Sequence, residues 1–268
     1  VRLRSMAAIL RRVRIPNAWA RRAASAAAEA KGITVDLPRV REELLQEWLR
    51  AEMATGGGGD GGAMRAARYC MFTYGDAQRL YNEPGAKWHW LDREMSSNVA
   101  GETGAVEIYR GAHAALVVRA AVGLGADTSA ERFVQEHAAT ESDHLRLMLT
   151  VVPPHKHTCL LPVWRVAGWL LGFGPTLAAG PRGLFCTVHF VESFVEDHYG
   201  LQIRTLEKGG RSPELLGLLQ ACCADEVHHK EDARARMGVD PAGSLMVRAW
   251  GSIVLLGSKW AAEAARRI

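Results

Sequence analysis

Apolar residues recur at helical spacing in LPRVREELLQEWLRAEM (37–53), where Val40, Leu44, Leu45, Trp48 and Leu49 share one side, and TGGGGDGG (55–62) then stops the pattern. From about residue 86 the chain reads as helix after helix, with few alternating β-branched runs and with stops at Gly and Pro. Four of these helices can be phased by their apolar stripes. Val99, Val106 and Leu116 mark the first, and Phe133, Val134, Leu145 and Met148 the second. Phe185, Val188, Val195, Ile203 and Leu206 mark the third, and Leu215, Leu219, Cys222 and Ala233 the fourth. Pro181 suits the opening turn of the third helix and Gly209-Gly210 its end. The pattern predicts an all-α chain in three parts: an N-terminal arm with a helix and Gly-rich linker (1–63), a connecting segment (64–90) and a helical bundle (91–268).

Each stripe is broken, on its apolar side, by polar residues. Glu102 and Tyr109 lie on the first stripe and Glu141 and His144 on the second; Glu192 and Tyr199 lie on the third and Glu226 and His229 on the fourth. The arrangement repeats: a Glu with a Tyr seven residues on, then Glu-x-x-His, twice over. Seven residues is nearly two helical turns and three is nearly one, so each helix shows both its polar groups on one side. Two copies make a pseudo-symmetric four-helix bundle in which these groups converge. Four ionised carboxylates in a bundle core would repel one another and lose their hydration, so something positive has to be present. Two divalent cations balance four carboxylates, and two neutral imidazoles complete the set. A Glu from each of two helices with Glu-x-x-His from each of two others is the ligand set of carboxylate-bridged di-iron or di-manganese proteins. Oxygen-rich ligation without thiolate disfavours zinc and copper. One Glu-x-x-His alone is as often a solvated helix face; two, alternating with two buried glutamates in order, are far more specific.

Composition adds less. With 268 residues, 48% of them hydrophobic, the chain can bury a full core. The net charge of +4 conceals an arm with seven arginines and no acid in residues 1–28. Arg-, Ala- and Ser-rich, that arm is either a transit segment or a retained helix that docks on a membrane surface or a partner. Cys70, Cys159, Cys186, Cys222 and Cys223 form an odd set without CxxC spacing, which argues for a reducing compartment. Two apolar segments, 160–177 and 244–264, carry Pro162, Arg165, Arg248, Lys259 and several glycines. Neither is expected to span a bilayer; both suit burial in one leaflet, or packing in the core or on a partner. Nothing in the chain points to nucleic acid.

The stretches AGETGAVEIYRGA, ESDHL, LLPVWRVAGWLLGFG, CTVHFVESFVEDHYGLQIRTLE and DEVHH resemble, in order and in spelling, the demethoxyubiquinone hydroxylases of ubiquinone biosynthesis. The similarity runs from about Asp92 to the C-terminus and leaves the N-terminal portion uncovered. It implies a ferritin-like bundle that binds two iron ions, activates O2 and hydroxylates the ring of a long-chain quinone at the membrane surface. It further implies Glu102, Glu141, His144, Glu192, Glu226 and His229 as the metal ligands, and His198 with Tyr199 as the pair that helps pass electrons to them. The two apolar segments become additional membrane-surface helices that give the long-tailed quinone its way in. A peripheral protein of the mitochondrial inner membrane, on the matrix side, is implied, with a lipid-binding protein or a respiratory complex as partner. NADH serves the family as reductant; this chain has no GxGxxG motif, so reduction is expected to be indirect or through bound quinol.

The chain departs from the resemblance in two places. Asn98-Val99 stands where the family has Asp-His before Ala-Gly-Glu, which removes a partner from around the first metal. GLGADTSAE (123–131) lengthens the connection before Glu141. His137, one turn earlier on the same stripe, is then either a substitute ligand or a hydrogen-bonded core residue. The competing function is a family-derived structural subunit of a large inner-membrane complex, favoured by the long N-terminal portion and disfavoured by the intact ligand set.

Overall fold

The structure is a computed structural model and describes residues 88–152, 154–209, 213–241 and 244–268. The N-terminal arm, the Gly-rich linker and the connecting segment up to residue 87 lie outside the described residues. Helices α1 (Trp88–Ala121), α2 (Thr128–Val151), α3 (Leu161–Ala179), α4 (Pro181–Gly209), α5 (Pro213–Met237) and α6 (Leu245–Ala265) follow one another, with a 3-10 turn at Pro154–Lys156; no strand occurs among the described residues. The fold is all-α and ferritin-like. Short connections make α1–α2 and α4–α5 antiparallel hairpins, and the two hairpins close into the bundle.

The loop after α1 turns through Gly123 and Gly125, both at positive φ, and Asp127 caps α2 by accepting the Ala130 amide at 2.9 Å. The lengthened GLGADTSAE segment is therefore absorbed as a loop and the opening turn of α2, and Glu141 still reaches the core. On the second stripe Leu147 is buried and Leu145 only partly so, two residues away from the phase read off the pattern.

α3 and α6 are the additions to the bundle. α3 presses on α1 backbone to backbone: a Cβ at Gly172 would sit 1.9 Å from the Ile108 carbonyl oxygen, and one at Gly111 2.1 Å from that of Trp169. Only glycine allows that approach. α6 lies across α4 and α1, where Val254 joins Ile108 and Val191 and the Trp250 indole donates to Thr187 Oγ1 at 3.0 Å. The outer faces of both additions stay apolar and exposed. Val163, Val166 and Leu170 face out from α3, and Leu245, Met246, Ile253, Leu256 and Trp260 from α6, Met246 being 82% exposed and Trp260 75%. No described helix is long and apolar enough to cross a membrane.

Candidate metal centre

The six candidate ligands Glu102, Glu141, His144, Glu192, Glu226 and His229 meet inside the bundle, none more than 4% exposed. Their ligand atoms fall into two overlapping groups. Glu102, Glu141, His144 and Glu226 form one, and Glu141, Glu192, Glu226 and His229 the other, with the atoms of each group within 4.8 Å of one another. Glu141 and Glu226 belong to both, as carboxylates that bridge two ions must. The two imidazoles turn the same nitrogen inward. His144 Nδ1 lies 2.9 Å from Glu226 Oε1 and 3.7 Å from Glu102 Oε2, while His229 Nδ1 lies 2.9 Å from Glu141 Oε1 and 3.1 Å from Glu226 Oε2. On the far side of its ring, His144 Nε2 meets Asp225 Oδ2 at 3.3 Å, the carboxylate–histidine pairing that orients a metal-binding imidazole.

The electrostatics ask for cations. Burial, with the neighbouring carboxylates, pushes Glu102 and Glu192 well above the usual carboxylate range, so each holds a proton when nothing else supplies positive charge. Burial alone would also raise Glu226, but the charge of His144 and hydrogen bonds from His144 and His229 hold it far below. Burial would lower His229, yet the Glu141 and Glu226 carboxylates beside its Nδ1 raise it to about 9. Protons on two glutamates and charge on the imidazoles thus stand where two divalent ions would. Both oxygens of Glu141 are buried without a hydrogen bond, although His229 Nδ1 is 2.9 Å from one of them. Distance is satisfied there and hydrogen-bond alignment is not. The donor set fits a pair of oxygen-preferring metal ions.

His137 lies outside both groups. Its Nε2 meets Asp232 Oδ2 at 2.9 Å and its ring packs edge-on against His229 with centroids 4.3 Å apart, so it is a hydrogen-bonded core residue and not a substitute ligand.

Tyr199 donates to Glu102 Oε1 at 2.5 Å, and the adjacent His198 belongs to a second buried network. Arg266 Nη2 stands 3.1 Å from His198 Nδ1. A guanidinium can only donate, so Nδ1 is bare and the ring proton sits on Nε2, 3.0 Å from Asn98 Oδ1. Gln202 spends its two amide hydrogens on Asn98 Oδ1 at 2.8 Å and Glu94 Oε2 at 3.0 Å, and Asn98 returns a bond to Gln202 Oε1 at 2.9 Å. Asn98 thus has an amide partner in place of the charge expected of an aspartate. Glu94 pairs with Arg266 Nε at 2.9 Å. Burial, reinforced by Arg266 against the pull of Glu94, holds His198 neutral down to about 4. Asp225 opens DEVHH, immediately before Glu226, so a carboxylate next to the ligand pair is legible in the sequence. Arg266, 172 residues from Glu94, carried no signal along the chain.

The sequence model of the family described as ubiquinone biosynthesis protein COQ7 matches residues 89–265. The chain belongs to this family. Within the COQ7 family it is 34% identical over 145 residues to the human protein named NADPH-dependent 3-demethoxyubiquinone 3-hydroxylase, mitochondrial, covering 53% of this chain and 62% of that one. The Caenorhabditis elegans protein of the same name is 30% identical over 183 residues, covering 66% of this chain and 90% of its own. The 3-demethoxyubiquinol 3-hydroxylase of Rhodospirillum rubrum is 31% identical over 144 residues, covering 53% and 62%. The chain therefore spans about three fifths of the length of the human and bacterial COQ7 relatives, 62% in each case.

Proposed function

We propose that this chain uses O2 at a pair of iron ions to hydroxylate the ring of a long-tailed demethoxyubiquinone in ubiquinone biosynthesis. The supporting observation is a pair of four-ligand groups sharing Glu141 and Glu226 in a chain of the COQ7 family. Glu102, Glu141, His144 and Glu226 would hold one ion, and Glu141, Glu192, Glu226 and His229 the other. Bound iron supplies the oxygen activation that no side chain can. The chain's own part is positional. Tyr199 fixes the orientation of Glu102, Asp225 fixes His144, and burial of all six ligands keeps bulk water from their ligand atoms.

Electrons are proposed to enter beside His198. Arg266, whose guanidinium touches that ring, also lines a surface cleft of about 500 Å³ with Trp90, Arg93, Arg267, Glu94 and Glu263. Three arginines against two glutamates, beside an indole, suit an anionic, ring-bearing reductant. Relatives named NADPH-dependent make a nicotinamide nucleotide the natural candidate, and NADH and NADPH are to be compared directly. His198 and Tyr199 then link the cleft to Glu102.

The exposed apolar faces of α3 and α6, with Arg165, Arg248 and Lys259 among them, suit shallow insertion at the matrix face of the mitochondrial inner membrane, where the quinone resides. A lipid-binding or respiratory-complex partner would meet the same surface. The scaffold alternative is disfavoured because a retired site has no use for four buried glutamates. Purified protein should carry two irons per chain and convert a demethoxyquinone to its hydroxylated product with O2 and a nicotinamide nucleotide. Iron-loaded protein without turnover would refute the activity; protein that takes up no iron would refute the centre.

A further inference from the structure

The repeat pairs Glu102 with Tyr109 and Glu192 with Tyr199, and the structure completes only half of the symmetry this implies. Tyr199, from α4, crosses the bundle and donates to Glu102 on α1. The matching contact, from Tyr109 on α1 to Glu192 on α4, is not made. Tyr109 is 1% exposed and its hydroxyl is buried without a hydrogen-bond partner. Glu192 is 2% exposed and accepts no hydrogen bond among the described residues. The tyrosine occupies the position on α1 that the repeat pairs with this carboxylate, as Tyr199 on α4 is paired with Glu102. Burial, and after it the charges of Glu192, Glu141, Glu226 and Asp232, push its hydroxyl well above the usual phenol range, so it stays protonated as a donor. Its ring is held by Phe133 and His137, with centroids 6.2 and 6.1 Å away. A buried hydroxyl without a partner is destabilising, so its presence points to a partner gained in another state of the site.

We propose that Tyr109 is a positioning residue for Glu192: when Glu192 turns onto a metal ion with Glu141, Glu226 and His229, one of its oxygens accepts the Tyr109 hydroxyl. The bond would reproduce Tyr199–Glu102 on the other half of the bundle and fix which oxygen faces the ion. This role presupposes the two-metal site proposed above and concerns only the ion on the Glu192 side.

The test uses the full chain with Tyr109→Phe, Tyr199→Phe and Glu192→Gln. Manganese(II) is titrated and read by EPR, alongside melts of the metal-free proteins. Tyr109→Phe should melt no lower than wild type without metal, since it loses no bond, whereas Tyr199→Phe should melt lower. With manganese, Tyr109→Phe should weaken one of the two sites by about 10-fold and leave the other within about two-fold. Added to Glu192→Gln it should weaken that site no further. Unchanged manganese affinities in Tyr109→Phe, equal weakening of both sites, full additivity with Glu192→Gln, or a metal-free melt lowered as in Tyr199→Phe would each overturn the assignment. A wild-type chain that binds fewer than two manganese ions would overturn the metal site itself, and the two failures are distinguishable.

Discussion

Replacing Arg266 with methionine should turn His198 from a neutral ring into one that gains charge near neutral pH. In the native network burial is the largest influence, Glu94 opposes it and Arg266 reinforces it, and the ring titrates at about 4. Its proton already sits on Nε2, so a second would land on Nδ1, against the guanidinium 3.1 Å away. Methionine keeps most of the stem and removes both the repulsion and the neutralising partner of Glu94. That carboxylate then stands uncompensated, with Oε2 4.0 Å from His198 Nε2. The Glu94 attraction acts in both chains; what methionine removes is the repulsion of a guanidinium 3.1 Å from the second proton, about 5 kcal/mol at an effective dielectric constant of about 20, or nearly 4 pKa units. Arg266 is itself 20% exposed, so solvent screens its repulsion below this figure, which leaves an upward shift of about 2 units, to about 6. Histidine-labelled protein, titrated by NMR with His198→Gln to assign the resonance, reads the change directly. The same spectra report the tautomer, expected as Nε2–H in the native chain. A His198 that stays within about one unit of its native value in Arg266→Met would refute the idea that Arg266 helps keep it neutral.

Glu226→Ala should cost the chain both metal ions and Glu102→Ala only one, because Glu226 is in both ligand groups and Glu102 in one; metal analysis of purified variants decides it. Gly172→Ala should destabilise the fold by about 1–3 kcal/mol or more, since the new Cβ would meet the Ile108 carbonyl and force α1 from α3; a melt within about 0.5 kcal/mol of wild type would refute that close approach. Metal-free protein should lose stability from pH 7 to pH 9. Glu102 and Glu192 are raised, and His229 is raised to about 9, so the folded chain binds more protons than the unfolded one across that window. Denaturant melts in a chelator check the sign, and metal loading should release protons in the same range. Stability that rises over those two pH units would contradict the proton-filled centre.

The apolar stripes were enough to show that Glu102, Glu141, His144, Glu192, Glu226 and His229 share one interior, because a helical period carries its own geometry. The same periodicity misjudged Leu145, where two leucines two residues apart compete for the core and Leu147 takes it. The glycines of 160–177 registered only as interruptions of an apolar segment. Their use, backbone contact with α1 at Ile108 and Trp169, depends on how two helices approach, which no single-helix pattern contains. Asn98 was legible as a missing charge, but its exchange of amide bonds with Gln202 was not, because that partner lies 104 residues away. Arg266 and Glu94 were invisible for the same reason.

The two buried networks obey opposite rules of charge, and a single residue joins them. The six-residue centre carries more carboxylate than its own imidazoles can neutralise, so it must import positive charge as protons or as metal ions. The network around His198 is closed: Glu94 is matched by Arg266, Asn98 by Gln202, and the imidazole is left neutral. Tyr199 is the neighbour of His198 in sequence, and its hydroxyl belongs to Glu102. A neutral link of this kind can couple the cleft at Arg266 to the centre without adding charge to either side. Metal affinity should therefore be set by the first network and reduction by the second. A single phenol hydrogen bond, rather than a shared charge, is the place where the two can communicate.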